Sequence, residues 1–309
     1  MTVPIDAVLP AAEPDAAPDI GRRVTGKRSA SARIVAFFGH AVVNLVLALI
    51  AIFWLVPTVG LFISSLRNST DNSQTGWWTI FTAPAQLTLD NYANLLSNSQ
   101  FVGSFVNTIA ITLPATLLVI VIGSLAGYAF AWIDFPGRDW LLIAVIVMLA
   151  VPVQVALIPI ARLYGSVGLF GSIAGVVIFH VAFGLPFAIF LLRNFFTQVP
   201  GELMEAARLD GASEWRIFTR IILPLGMPAI ASLGIFQFLW VWNDLLVALI
   251  FTNASSQPVT VAIQSQLRQF GANVDVLSSG AFLSMIIPLI VFFAFQRYFV
   301  TALLAGSQR

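Results

Sequence analysis

Cysteine is absent from the 309-residue chain, lysine occurs once, at Lys27, and histidine twice, at His40 and His180. Without a thiol there is no disulfide, no thiolate metal ligand and no cysteine nucleophile. Two histidines so far apart in sequence do not make a histidine-rich metal centre. Charged residues are only 9% of the chain, against about 25% in a typical soluble domain. The net charge of +1 removes any overall electrostatic case for nucleic acid as a partner. No nucleophile–base pair, paired carboxylates or metal-ligand spacing is present, which argues against an enzyme.

What is there is apolar: 59% of residues are hydrophobic. A helix needs roughly 20 apolar residues to cross the hydrocarbon core, and such stretches run from Ala41 to Leu66, Gly103 to Trp132, Trp140 to Leu163, Ser172 to Leu192, Met227 to Phe251 and Gly280 to Tyr298. The expected fold class is an all-α membrane protein with six transmembrane helices. Residues 1–33 differ from the rest. They are rich in Ala, Pro and Asp and end in Arg22, Arg23, Lys27, Arg28 and Arg33, with no apolar stretch before the charges. This reads as a disordered basic tail and not as a signal peptide, followed by one transmembrane domain over 34–309.

Lys and Arg concentrate in cytoplasmic loops. With the N-terminus inside, twelve basic residues fall on the cytoplasmic side and three (Arg67, Arg162, Arg268) outside. Both termini are therefore expected in the cytoplasm. Prolines at 57, 114, 152, 159, 186, 228 and 288 suggest kinked helices along a pathway, since neighbouring helices can re-satisfy the freed carbonyls. In the external segment 67–102, Trp77 and Trp78 suit a membrane–water boundary or a docking partner. Within the spans, Asn243 and Asp244 are candidate pathway residues, because a carboxylate at membrane depth is costly and faces the bundle interior or a wet cavity; a structural hydrogen bond is the competing reading. Gln154, Gln237 and His180 are weaker candidates, better read as hydrogen-bonding glue between helices.

The most informative segment is the polar loop 195–225 between the fourth and fifth spans. Pro200 suits a helix start, and Glu202 and Glu205 favour the positive end of that helix. Asp210-Gly211 supplies the turn that ends it. Ser213 can cap a second short helix with Glu214 in its first turn, and Pro224 ends or kinks the pattern. Ala206 and Ala207 leave a smooth patch that another surface can approach. The alternative is an ordinary amphipathic interfacial loop.

In this loop the pattern Glu205-Ala206-Ala207, then Gly211, then Ile221, Leu223 and Pro224 resembles the signature of permeases of binding-protein-dependent ABC importers. Trp242-Asn243-Asp244 and Phe295-Gln296-Arg297-Tyr298-Phe299 look like the carbohydrate branch, and within it the smaller permease of a maltose-type pair. The tail departs from that pattern at Thr301 and Ala302. The resemblance implies an ABC type I importer permease fold in a bacterial cytoplasmic (inner) membrane, with the helix at Glu205 acting as a cytoplasmic coupling helix. It implies two separate ATPase subunits holding ATP-Mg, a second permease subunit in a heterodimer, an extracytoplasmic sugar-binding protein, and a sugar as substrate. Glu205, Ala206, Ala207, Arg208, Asp210 and Gly211 would form the ATPase-coupling surface. Arg208 would either restrain Glu205 or make its own contact.

No cofactor is expected in this chain. Gly21-Arg-Arg-Val-Thr-Gly26-Lys27 imitates the start of a phosphate-binding loop, but Arg28 stands where Ser or Thr holds Mg²⁺ and no strand precedes it. With Lys27 the only lysine, ATP hydrolysis belongs to another polypeptide. The overall resemblance implies an α-glucosidic di- or oligosaccharide such as maltose or trehalose as substrate, with a non-sugar solute such as glycerol phosphate, a polyamine or phosphate as the alternative. An ion-driven secondary transporter would show intramembrane charge pairs or broken-helix repeats, and the sequence displays neither.

Overall fold

A computed structural model describes the backbone of residues 30–270 and 274–307 and the side chains of residues 41–266 and 274–296. Most of the expected basic tail, with the Gly21–Lys27 near-match, lies outside the described residues, as do the side chains of Arg297, Tyr298, Phe299, Thr301 and Ala302. Among the described residues the chain is helical, and the β-type pairing present is an isolated bridge between Arg67 and Leu87.

The chain divides into two compact units, residues 1–56 and 57–309. The first holds most of helix α1 (Ala30–Ser65). That helix begins inside the segment expected to be disordered. From Ala41 to Val59 its side chains are exposed and almost wholly apolar, the composition of a lipid-facing helix.

The second unit begins with a folded polar segment. Helix α2 (Ser69–Gln74), two 3₁₀ turns and helix α3 (Asp90–Ser97) are organised around Arg67, which is 0% exposed. Its guanidinium donates to the Gln86 side chain at 3.1 Å, the Asn72 side chain at 3.4 Å, the Thr75 carbonyl at 3.3 Å and the Asp71 carbonyl at 2.9 Å, and also to the Thr75 hydroxyl. A buried charge is tolerated when every donor is matched. Asn91 fixes the same knot by donating to the carbonyls of Ser65 and Arg67 at 2.9 and 2.8 Å. Trp77 packs against Gly60, where an added Cβ would lie 2.8 Å from the indole nitrogen. Trp78 stays 63% exposed.

The bundle follows. Helix α4 (Ser99–Trp132) starts at Asn98, whose side chain caps Gln100 and Phe101. Helices α5 (Arg138–Met148) and α6 (Val153–Val167) come next, then α7 (Ile173–Phe196). Gly123 and Gly127 of α4 face α7: a Cβ at Gly123 would lie 2.8 Å from the Ala188 Cβ, and one at Gly127 3.0 Å from the Leu192 Cβ. Small residues four apart let two helices approach closely inside a membrane, where burial from water cannot drive them together. The polar segment between α7 and the next long helix holds α8 (Gly201–Leu209) and α9 (Glu214–Ile217). After a π-helical turn at Phe218–Ile222 come α10 (Leu223–Trp242), α11 (Leu246–Phe251), α12 (Val259–Phe270) and α13 (Val274–Ser307). Trp242 ties α10 to α13 by donating to the Ser284 carbonyl at 3.1 Å.

Two of the expected spans are not single helices. The third, Trp140–Leu163, is α5 and α6 meeting at 100°. Pro152 lies at the break with its backbone extended, because its ring cannot continue a helix without clashing with the preceding turn. The fifth, Met227–Phe251, stops at Trp242 and restarts at Leu246. The other prolines, at 57, 114, 159, 186, 228 and 288, stand inside helices. Among the described residues five helices are long and apolar enough to cross a membrane, and six spans result if the bent pair is one.

Candidate functional site

The loop 195–225 is anchored into the bundle core. Met204 of α8 and Ile217 of α9 are 0% exposed and belong to the same apolar cluster as Tyr128 of α4, Leu192 and Phe196 of α7, and Leu233 of α10. Burying one such side chain contributes about 1.5–3 kcal/mol, so α8 moves with the bundle and not as a loose strap. The expected local chemistry is present. Gly211 has φ +76°, a left-handed conformation that suits glycine after a helix. The Ser213 side chain accepts from the Arg216 N–H. Of the two outcomes expected at Pro224, the first does not occur: the proline does not end a separate helix. The chain from Glu214 to Trp242 runs on as one 29-residue rod, through the widened turn at Phe218–Ile222. Pro224 has no N–H to give to the Arg220 carbonyl, and the wider turn just before it relieves the crowding.

Arg208 does not restrain Glu205 but is bound within the chain. Its Nε donates to Glu214 Oε1 at 2.9 Å and its Nη2 to the Trp132 carbonyl at 3.0 Å. The bond to Glu214 pushes the guanidinium above its usual pKa. Tyr128 donates its hydroxyl to the other oxygen of Glu214. Arg208, Glu214, Tyr128 and Trp132 thus clamp the far side of α8 onto the end of α4. The free side of α8 carries Glu205 and Ala206, both exposed, and Glu205 has no hydrogen bond or ion pair with any described residue. Ala207 packs inward on the core. Leu209 is 89% exposed, and Trp215, on the neighbouring α9, is 65% exposed. Asp210 is exposed too. Unpartnered carboxylates beside apolar exposed side chains, on a rigidly held helix, have the form of a docking surface.

The break in the fifth span is the second cluster. Asp244 is not inside a helix. Its carboxylate accepts from the Val247 and Ala248 N–H groups at 3.3 and 3.0 Å and so caps α11. This is the structural hydrogen bond of the competing reading, made to the next helix along the chain. Asn243 turns back and donates to the Leu239 carbonyl at 2.8 Å. His180 of α7, 1% exposed, places Nε2 3.6 Å from Asp244 Oδ2. That is an ion-pair separation for a protonated ring but too long for a hydrogen bond, and neither ring nitrogen has a hydrogen-bond partner. A cavity of about 10 Å³ between Thr108, Thr112, His180 and Asp244 has about the volume of one water probe. The sequence displays no broken helix, yet one lies here in the fold, with a buried imidazole beside the carboxylate.

Gln237 and Gln154 are not the expected glue. Gln237 packs on Gly184 of α7, and its Nε2 is buried without a partner, since glycine offers no side chain to accept from it. It lies in an aromatic groove of about 270 Å³ with Phe183, Phe187, Phe236 and Trp240. Gln154, near the start of α6, is exposed and lines neither this groove nor the small cavity at Asp244.

Comparison with known proteins decides the family. Residues 119–304 match the family model described as binding-protein-dependent transport system inner membrane component. The chain belongs to that family. The permease is thus a multi-pass integral membrane protein and a transport component, not an enzyme. It is 48% identical over 88% of its length to a *Synechocystis* protein described as an osmoprotective compounds uptake permease, of which it covers 93%. It is also 48% identical over 73% of its length to an alpha-glucoside transport system permease of *Rhizobium meliloti*, of which it covers 61%. A trehalose transport system permease of *Mycobacterium tuberculosis* is 34% identical over 72% of the chain, which spans 83% of that relative. Among solved structures, a bacterial ABC transporter involved in alginate import matches with a TM-score of 0.75 at 23% identity, covering 88% of the permease and 98% of that chain. The permease therefore has the ABC type I importer permease fold.

Proposed function

We propose that this permease is the translocation subunit of an ATP-driven importer for an α-glucosidic sugar, seated in a bacterial cytoplasmic membrane with both termini inside. The observation that carries this reading is α8: a helix clamped to the core on one side and offering an unpartnered Glu205 beside exposed apolar side chains on the other. Glu205 pairs with a basic residue in a cleft of a separate ATPase subunit, and Ala206, Asp210 and Gly211 allow close approach. Two such ATPases hold ATP-Mg. Their closure drives α8 as a rigid lever, and the spans shift from inward-facing to outward-facing. A second permease completes the pathway, and an extracytoplasmic binding protein delivers the sugar. Residues 34–309 act as the transmembrane domain.

The aromatic groove at Gln237 supports a sugar. Phe183, Phe187, Phe236 and Trp240 offer flat apolar faces of the kind that suit the CH faces of a pyranose. The unpartnered Gln237 amide supplies a hydroxyl contact. Two relatives carry alpha-glucoside and trehalose in their descriptions. The description of the *Synechocystis* relative favours a second reading, a small polar osmoprotectant.

The test is ATP-dependent uptake into proteoliposomes holding the assembled transporter and its binding protein, across maltose, trehalose, glycerol 3-phosphate and spermidine. Uptake of a glucoside supports the reading. Uptake of only the phosphate or the polyamine overturns it.

A further inference from the structure

A second polar cavity lies at the other end of α4, outside everything assigned so far. It has a volume of about 310 Å³ and is formed by α3, the start of α4, α12 and the start of α13. That is the lower end of the range for small-molecule sites, about 300–1,000 Å³. Its lining is dominated by side-chain amides, among them Asn94, Asn98, Gln100, Gln257 and Gln266. The amides of Asn94, Gln100, Gln257 and Gln266 make no hydrogen bond with any described residue. Asn98 spends its carbonyl oxygen on the Gln100 and Phe101 N–H groups at 3.0 and 3.1 Å, which leaves its amino group free. The lining also holds Asp275, 6% exposed, whose Oδ1 is buried with no hydrogen-bond partner.

A buried carboxylate oxygen without a donor is costly, and among the described residues nothing basic lines the cavity to offset it. The lone carboxylate repels an anion. No group of three acidic or histidine side chains able to hold a metal ion occurs among the described residues. What matches amides that both donate and accept, together with a carboxylate that only accepts, is a neutral ligand carrying several hydroxyl groups. Phe101, 5% exposed, closes one wall.

Position supports the same conclusion. Helix α4 has 34 residues and is therefore about 50 Å long. Trp132, whose carbonyl accepts from Arg208, stands at one end, and Asn98 and Phe101 stand at the other. With α8 in the cytoplasm, the amide cavity lies on the side where solute is delivered.

We propose that this cavity is a reception site for the hydroxyl groups of the incoming sugar, with Asp275 and Gln266 as ligands, occupied before the solute reaches the aromatic groove. The proposal rests on the sugar-import reading. It separates two stations in one chain: amides at the mouth, which select hydroxyls, and aromatic faces deeper in, which let the ring slide.

The test is equilibrium dialysis of radiolabelled maltose and trehalose against the full transporter in nanodiscs, without binding protein or nucleotide. Saturable binding is expected. Asp275→Leu should weaken it at least about tenfold, the size of one lost charge-assisted hydrogen bond, and Gln266→Leu about two- to tenfold, the size of a neutral one. Asp275→Leu should unfold no earlier than wild type, because it removes an unmatched buried oxygen. If Asp275→Leu fails to fold, Gln266→Leu and Gln257→Ala carry the smaller of these expectations at the cavity rim. Wild-type affinity in the folded variants overturns the proposal. So does sodium or potassium binding that Asp275→Leu abolishes while sugar binding is untouched, which would make the cavity a cation site. ATP-driven uptake in the same preparation separates the two failures. Uptake without cavity binding overturns this proposal alone, and no uptake of either sugar overturns the import reading beneath it.

Discussion

The guanidinium of Arg208 and the carboxylate of Glu214 meet at 2.9 Å across the turn that separates α8 from α9. Both side chains are nearly half exposed, so the ion pair by itself stabilises the fold by only about 0.2–1 kcal/mol. Its importance is geometric. Through the Trp132 carbonyl and the Tyr128 hydroxyl it fixes the direction in which α8 presents Glu205. Arg208→Ala should therefore lower the unfolding midpoint only slightly while reducing transport strongly. Tyr128→Phe, which leaves the ion pair intact, should have the smaller effect on transport. Thermal unfolding in detergent and uptake into proteoliposomes measure the two quantities. A loss of stability that matches the loss of transport would mean that the clamp is merely structural.

The close approach of α4 and α7 rests on Gly123 and Gly127. Gly123→Val would drive a side chain into Ala188, whose Cβ already lies 2.8 Å from where a Cβ at Gly123 would sit. Overpacking of this kind costs about 1–3 kcal/mol, and the midpoint of unfolding should fall accordingly. Gly123→Ala combined with Ala188→Gly should restore most of the loss seen with Gly123→Ala alone.

Among the described residues Asp244 is the only side chain capping α11, and two N–H groups depend on it. Asp244→Ala should cost about 0.5–2 kcal/mol, the range for removing a helix cap. Asp244→Asn keeps one acceptor and should lie between. Protection of the Val247 and Ala248 amides from hydrogen exchange reads this locally. Unchanged protection in Asp244→Ala would contradict the capping geometry.

Arg67 is held by neutral acceptors alone, spread over Asp71, Asn72, Thr75 and Gln86. Lysine has the charge but not the planar fork that reaches them together. Arg67→Lys should leave several acceptors unmatched, at about 1–3 kcal/mol each. Limited proteolysis should then cut within 66–98 while the rest of the bundle stays resistant.

The parts of the fold legible in the sequence are those set by neighbours along the chain. Ser213, Gly211 and Asp210 announce the turn between α8 and α9 because caps and left-handed glycines act within a few residues. The break at Asn243–Leu245 leaves no such mark. Hydropathy runs unbroken from Met227 to Phe251, and the cap that stabilises the break comes from Asp244, a residue that also reads as a costly intramembrane charge. Pro152 shows the reverse: six other prolines of the same kind sit inside helices, so proline alone does not say which one breaks the chain. The partner of His180 lies 64 positions away, and the pairing exists only once α7 and the α10–α11 break lie side by side. The amide cavity is equally invisible, because its walls come from residues 91–101, 257–266 and 275–276, each ordinary by itself. In the sequence Arg67 is one more basic residue outside the membrane, and the uncharged side chains that hold it form no pattern.

ATP-dependent uptake by Glu205→Lys tests the central claim most directly. The variant reverses an unpartnered charge on the exposed face of α8 and touches nothing in the core. The account predicts a protein that inserts, unfolds at the wild-type temperature and binds solute, yet transports almost none when ATP is supplied to the assembled complex. Uptake at the wild-type rate would contradict the assignment of α8 as the point where the motor drives the permease.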